Sequence, residues 1–83
     1  MTQKQLNTMY EKIGALYDEL DEAITEIEEK IEEINDKANE RDSGELTEKE
    51  EEKIEALEEQ QSALEEAKDN LEGVQNSIFD LLQ

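Results

Sequence analysis

Apolar residues recur along the first half of the chain at steps of three and four, the spacing of an amphipathic helix. The series runs through Leu6, Met9, Ile13, Leu16, Leu20, Ile24, Ile27, Ile31, Ile34 and Ala38. Two steps of four meet at Leu20, which predicts a stutter that locally unwinds a left-handed supercoil. Thr2 and Gln5 have the spacing of a capping box. We therefore predict a first helix over about residues 3–40.

The second half of the chain carries a regular three-four alternation. Its apolar row holds Ile54, Leu57, Leu64, Leu71 and Ile78, interleaved with Gln60, Ala67, Val74 and Leu81. Thr47 and Glu50 have the spacing of a second capping box. These features predict a second helix over about residues 48–82.

Residues 41–47 separate the two helices, and Asp42, Ser43 and Gly44 are turn-forming residues. Gly44 can take the left-handed conformation that ends a helix. Because this loop is short, the helices are expected to fold back antiparallel. The predicted fold is therefore all-α, with residues 1–83 forming a single helical hairpin of the coiled-coil type. Residues that face each other should have numbers that sum to about 87, which places Gly14 and Gly73 at one level, both facing outward.

A two-helix hairpin has little interior, and scaffolds of this size usually need a staple or an oligomer. The first helix carries a second row at seven-residue spacing, formed by Tyr10, Tyr17, Ile24, Ile31 and Ala38. It runs beside the row Leu6, Ile13, Leu20, Ile27 and Ile34. Such a broad apolar face can cover more than one helix. We expect a homodimer in a four-helix arrangement, with Tyr10, Tyr17, Ile24 and Ile31 facing the second chain; a monomer that binds a partner protein there is the alternative.

Composition changes this picture through charge. The chain has 26 acidic and eight basic residues, and its net charge is −18. High charge often signals disorder, but the helical periodicity argues against disorder here. A polyanion is not expected to bind nucleic acid directly or an anionic membrane surface. No stretch is apolar for long enough to span a membrane, and the absence of cysteine is compatible with a reducing cytoplasm, so a cytoplasmic location is expected.

The residue types give no sign of an enzyme. The chain has no His, no Cys and no glycine-rich phosphate loop, and its carboxylates fall on solvent-facing positions. No cofactor or metal is expected. One stretch, Asn39–Glu50, resembles an EF-hand calcium loop, with Gly44 at its sixth position and Glu50 at its twelfth. Asn39 and Arg41 depart from the ligand pattern at the first and third positions, and calcium binding is a minor alternative.

Acidic residues gather in two runs, where many pairs four residues apart carry like charges and repel each other. Over a rod of roughly 55 Å all 26 acids of the chain give about one carboxylate per 2 Å, against one charge per about 1.7 Å in duplex DNA. We therefore expect the runs to bind the basic surface of a DNA- or RNA-binding protein. The residues concerned are Asp18, Glu19, Asp21, Glu22, Glu26, Glu28, Glu29, Glu32, Glu33, Glu48, Glu51, Glu52, Glu55, Glu58 and Glu59.

In size and charge the chain resembles small acidic proteins of phages and mobile elements that inhibit restriction or CRISPR effectors. That resemblance lies in composition alone, and it implies a nucleic-acid-mimicking inhibitor. The alternative is a structural or adaptor coiled coil, in which the apolar rows bind a partner and the acids only keep the protein in solution.

Overall fold

A computed structural model describes all 83 residues and shows two helices, α1 (Gln3–Asn39) and α2 (Glu48–Leu82). They lie antiparallel, pack along most of their length and form a rod of 63 × 15 × 15 Å. The predicted all-α hairpin is confirmed.

Both helices begin with the capping boxes that the sequence predicts. The Thr2 hydroxyl accepts a hydrogen bond from the Gln5 amide, and the Gln5 side chain accepts one from the Thr2 amide. Thr47 and Glu50 repeat this arrangement at the start of α2. Each box satisfies amide groups that the first turn of a helix leaves unpaired. The starts of both helices are thus fixed by local hydrogen bonds.

The loop between the helices is closed by an ion pair and a glycine. Gly44 has a φ of +65°, the only positive φ in the chain, and its amide donates to the Arg41 carbonyl at 3.0 Å. The Arg41 guanidinium forms a two-armed pair with the Glu50 carboxylate, and the Nη2–Oε2 distance is 2.6 Å. Arg41 thereby joins the end of α1 to the first turn of α2.

The seam of α1 is an unbroken alternation of steps of four and three. Its half-buried and buried residues are Leu6, Tyr10, Ile13, Tyr17, Leu20, Ile24, Ile27, Ile31, Ile34 and Ala38. The predicted stutter is therefore wrong. Met9 and Leu16, which produced it, are 38% and 49% exposed, because Tyr10 and Tyr17 take the seam positions beside them.

The second row on α1 is not a separate face. Ile24 is buried, Tyr10 and Tyr17 both contact α2, and Ile31 is half-buried in the same row. These residues form the intramolecular seam together with the row from Leu6 to Ile34. Contact of Tyr10, Tyr17, Ile24 and Ile31 with a second chain stays a prediction, which would use only the surface that α2 leaves uncovered.

The seam of α2 differs from the predicted one in one of its two rows. The row Leu57, Leu64, Leu71 and Ile78 faces α1 as predicted. The other row is Ile54, Gln61, Lys68, Gln75 and Leu82, one residue further along than the predicted Gln60, Ala67, Val74 and Leu81. Val74 and Leu81 are 48% and 68% exposed. The polar residues Gln61, Lys68 and Gln75 occupy the seam positions predicted for Gln60, Ala67 and Val74.

Candidate functional site

The acidic residues predicted to bind a partner are all exposed. None of the fifteen lies at a half-buried or buried position of the hairpin. Only three ion pairs are present, and they use Asp21, Glu33 and Glu50. The other 23 of the 26 acids, that is 26 less these three, have no lysine or arginine nitrogen within 4.0 Å. Nearly the whole negative charge of the molecule is thus available to a partner.

The seam assigns every helical residue to a heptad position, with Tyr10 and Ile54 at position a. Going around a helix from a, the positions follow in the order e, b, f, c, g and d. The acids of α2 between Glu51 and Asp80 occupy only b, e and f, and those of α1 occupy b, c, e and f. In the antiparallel pair the e positions of both helices share one flank, so the two sets of acids adjoin. We call this continuous surface the acidic side.

Three polar residues of the α2 seam reach across to α1 at intervals of one heptad. The Gln61 amide donates to the Glu28 carboxylate at 3.0 Å, and the Lys68 ammonium donates to Asp21 at 2.6 Å. The Gln75 amide approaches the Tyr10 carbonyl at 3.5 Å. Asp21 and Glu28, two residues of the predicted site, therefore also hold the helices in register. The residue numbers of these pairs sum to 89, 89 and 85, on either side of the predicted 87.

Lys68 is the one charged residue inside the seam beyond the loop. Its ammonium lies 4.8 Å from the centroid of the Tyr17 ring, in addition to its contact with Asp21. The hydrogen bond from Lys68 to Asp21 raises the pKa of Lys68 above its ordinary value. The lysine therefore stays charged at neutral pH and neutralises a carboxylate at the edge of the acidic side.

Two residues of the stretch that resembles an EF-hand loop form an ion pair with each other. The hydrogen bond from Arg41 lowers the pKa of Glu50 to about 2, and the hydrogen bonds within the Thr47 capping box act in the same direction. Glu50 is the carboxylate that the resemblance would assign as a bidentate calcium ligand, and Arg41 binds both of its oxygens. No group of three or more His, Cys, Asp or Glu side chains comes together anywhere in a metal-binding arrangement.

The two helical glycines have different surroundings. A Cβ atom at Gly14 would lie 3.1 Å from the Gln75 amide nitrogen, whereas one at Gly73 would meet nothing within 4 Å. The prediction that both face outward is therefore wrong for Gly14. Gly14 leaves room for a polar seam residue, and together with Tyr10 and Tyr17 it forms a shallow notch.

Sequence reasoning did not find the opposite flank, where the g positions of both helices meet. These positions carry no acid, and neither do the c positions of α2 beside them. The residues are Met9, Leu16, Ala23, Lys30 and Lys37 of α1, and Lys49, Lys53, Ala56, Gln60, Ala63, Ala67, Asn70, Val74, Ser77 and Leu81 of α2. We call this surface the acid-free flank. The signal was present in the heptad pattern, but it becomes readable only once the seam is assigned correctly.

No protein-family model, curated protein or solved structure matches this chain. Neither helix contains an apolar stretch long enough to cross a membrane.

Proposed function

We propose that the protein is a nucleic-acid mimic whose acidic side occupies the basic groove of a DNA- or RNA-binding protein and blocks it. The observation that carries this proposal is the nearly continuous surface of unpaired carboxylates along the rod, which leaves only the acid-free flank uncovered. The 26 acids over 63 Å amount to about one carboxylate per 2.4 Å, close to the one charge per about 1.7 Å of duplex DNA.

Repulsion among the acids lowers the stability of the fold, and this cost favours a binding role for the charge over a role in solubility alone. Like-charged neighbours four residues apart on a helix destabilise it by about 0.2–0.5 kcal/mol per pair at low salt. Solubility needs net charge but does not need like charges four residues apart. A negative field of this density attracts a cationic groove and steers the rod as it approaches.

The test uses the protein as bait for nucleic-acid-binding proteins in a nuclease-treated lysate. A captured protein supports the proposal only if duplex DNA or RNA displaces it from the bait and if the free hairpin inhibits its nucleic-acid binding. Binding should weaken at least tenfold between about 50 and 500 mM salt, because the contacts are ionic.

The matched variants separate the position of the charge from its amount. Reversal of Glu22, Glu29, Glu55 and Glu59 to lysine changes exposed acids in the predicted runs that have no partner in the hairpin. The control reverses Glu11, Asp69, Glu72 and Asp80, which are exposed near the open end. The first variant should lose binding and the second should retain most of it. Equal losses would contradict a site in the two runs.

An adaptor function is the second candidate, and a specific observation favours it. Met9, Leu16, Val74 and Leu81 are large, exposed and apolar, and they lie together on the acid-free flank. An adaptor would bind through these residues, and its binding would survive the four reversals on the acidic side. Homodimerisation in a four-helix arrangement also stays a prediction.

A further inference from the structure

The exposed apolar side chains of the hairpin are concentrated at one place. Six large hydrophobic residues are exposed, and four of them lie on the acid-free flank: Met9, Leu16, Val74 and Leu81. Met9 and Leu16 are one heptad apart on α1, and Val74 and Leu81 are one heptad apart on α2. The antiparallel register places Met9 at the level of Leu81 and Leu16 at the level of Val74. They form one patch near the open end, continued by Ala23 and Ala67.

We infer that a second copy of this chain docks on this patch. Any two copies carry a charge of −18 each, so most of their surfaces repel each other at close range. The acid-free flank is the side on which two copies can meet without bringing carboxylates face to face. Apolar side chains exposed there on both copies supply the attraction.

The acids are unevenly distributed along the rod, and this favours one relative orientation of the two copies. The open end, residues 1–20 and 67–83, holds six of the 26 acids: Glu11, Asp18, Glu19, Asp69, Glu72 and Asp80. The remaining 20, which is 26 less six, lie in the half that contains the loop. An antiparallel overlap of the two open ends therefore joins the charge-poor parts and points the acidic loop halves in opposite directions.

A two-fold axis near the level of Leu16 and Val74 satisfies this arrangement. In such an isologous contact the same patch serves on both copies, and the contact closes without forming a fibre. Four helices overlap over the open ends, and the acidic sides stay outward. The inference concerns a face different from the proposed partner site and does not depend on that site.

The test measures the oligomeric state of the purified protein alone by sedimentation equilibrium. Dimerisation should strengthen at least tenfold between about 50 and 500 mM salt, because salt screens the repulsion between the two polyanions. Binding of a basic partner has the opposite salt dependence. Failure of the dimer and failure of the partner proposal are thus distinguishable.

Two matched variants locate the surface. Leu16→Glu with Val74→Glu adds two charges to the patch, and Ser62→Glu with Asn76→Glu adds two at exposed b positions of α2. The first pair should raise the dimer dissociation constant at least tenfold over the second at about 500 mM salt. Leu16→Gln with Val74→Gln should weaken the dimer without added charge, and circular dichroism checks that all variants keep their helix content.

Single-cysteine variants provide an independent readout, because the chain has no cysteine of its own. Leu16→Cys should be joined between copies by a short bismaleimide, and Asn76→Cys should not. A protein that stays monomeric at every salt concentration would overturn the inference. So would equal effects of the two glutamate pairs, or equal cross-linking at the two positions.

Discussion

The Lys68 ammonium of α2 lies 2.6 Å from the Asp21 carboxylate of α1, across the seam of the hairpin. Lys68 occupies a seam position where an apolar residue is usual, and its ammonium also lies over the Tyr17 ring. The side chain of Asp21 is 58% exposed, so one end of this contact belongs to the acidic side and the other to the interface. Polar groups at seam positions reduce stability but fix which residues face each other.

Replacement of Asp21 by Asn should lower the midpoint of thermal unfolding by a few degrees, because Lys68 keeps its charge and loses its carboxylate. Since the pKa of Lys68 is raised, the contribution of this pair is complete below the ordinary lysine value of 10.5 and is lost only as the pH rises through the higher value of the folded protein. The loss should therefore be the same at pH 6 and pH 8.

The control for this variant is Glu22→Gln, since it removes one negative charge from an exposed neighbour that has no ion pair. It should leave the midpoint unchanged or raise it slightly at low salt, as repulsion among the acids is relieved. A fall of equal size in both variants would show that the Lys68 contact contributes nothing.

Gln60 and Gln61 provide a direct test of the seam. Gln61 is half-buried against α1 and Gln60 is exposed. Gln61→Leu should raise the free energy of unfolding by about 1 kcal/mol, since part of its side chain is already removed from water and Glu28 can turn to solvent. Gln60→Leu should change it by less than about 0.5 kcal/mol. Urea unfolding of the two variants measures the difference, and the reverse order would support the seam expected from the apolar pattern.

The two helical glycines should respond differently to alanine. Alanine is favoured over glycine in a helix by about 0.5–1 kcal/mol. Gly73→Ala should gain all of this, because a Cβ there meets nothing. Gly14→Ala should gain less, because its Cβ would lie 3.1 Å from the Gln75 amide, which must move. In a Gln75→Ala background the two gains should become equal, and chemical denaturation provides the comparison.

Glu50 should contribute stability in a pH-dependent way. Its pKa is lowered from 4.5 to about 2 by the hydrogen bond from Arg41, so its contribution is present above about pH 4.5 and is lost as the pH falls through about 2. Glu50→Gln should therefore unfold at lower temperature than the natural protein at pH 7, and the two should converge near pH 2. Glu51→Gln changes an exposed position in the same turn. Its unfolding temperature should not lie below that of the natural protein at pH 7 and then meet it near pH 2. Thermal melts between pH 2 and pH 7 follow both variants.

The acidic site could be recognised from the sequence as two runs of exposed carboxylates, because alternation with an apolar row is enough to place residues on the outside of a helix. The sequence did not show that the acids of the two helices adjoin across the flank where their e positions meet. That conclusion depends on which residues of α2 face α1. Placing Gln61 in the seam and not Gln60, or Gln75 and not Val74, changes which flank every other residue of the helix lies on. The apolar side chain of Val74 made it the expected seam residue, but the structure places Gln75 in the seam.

The sequence by itself determined the helices, their starts and the loop. Hydrogen bonds between residues three apart fix the capping boxes at Thr2 and Thr47, and the conformation of Gly44 needs no side chain from elsewhere. Only the tertiary structure decided that Tyr10 and Tyr17, and not Met9 and Leu16, enter the seam of α1, and that the row of Gln61 enters the seam of α2 in place of the row of Gln60. The four candidates on α1 are all large and apolar, so the free energy of burial scarcely separates them until the partner helix is present. Packing of Tyr10 and Tyr17 against α2, and the contacts from Gln61, Lys68 and Gln75, then select the seam residues.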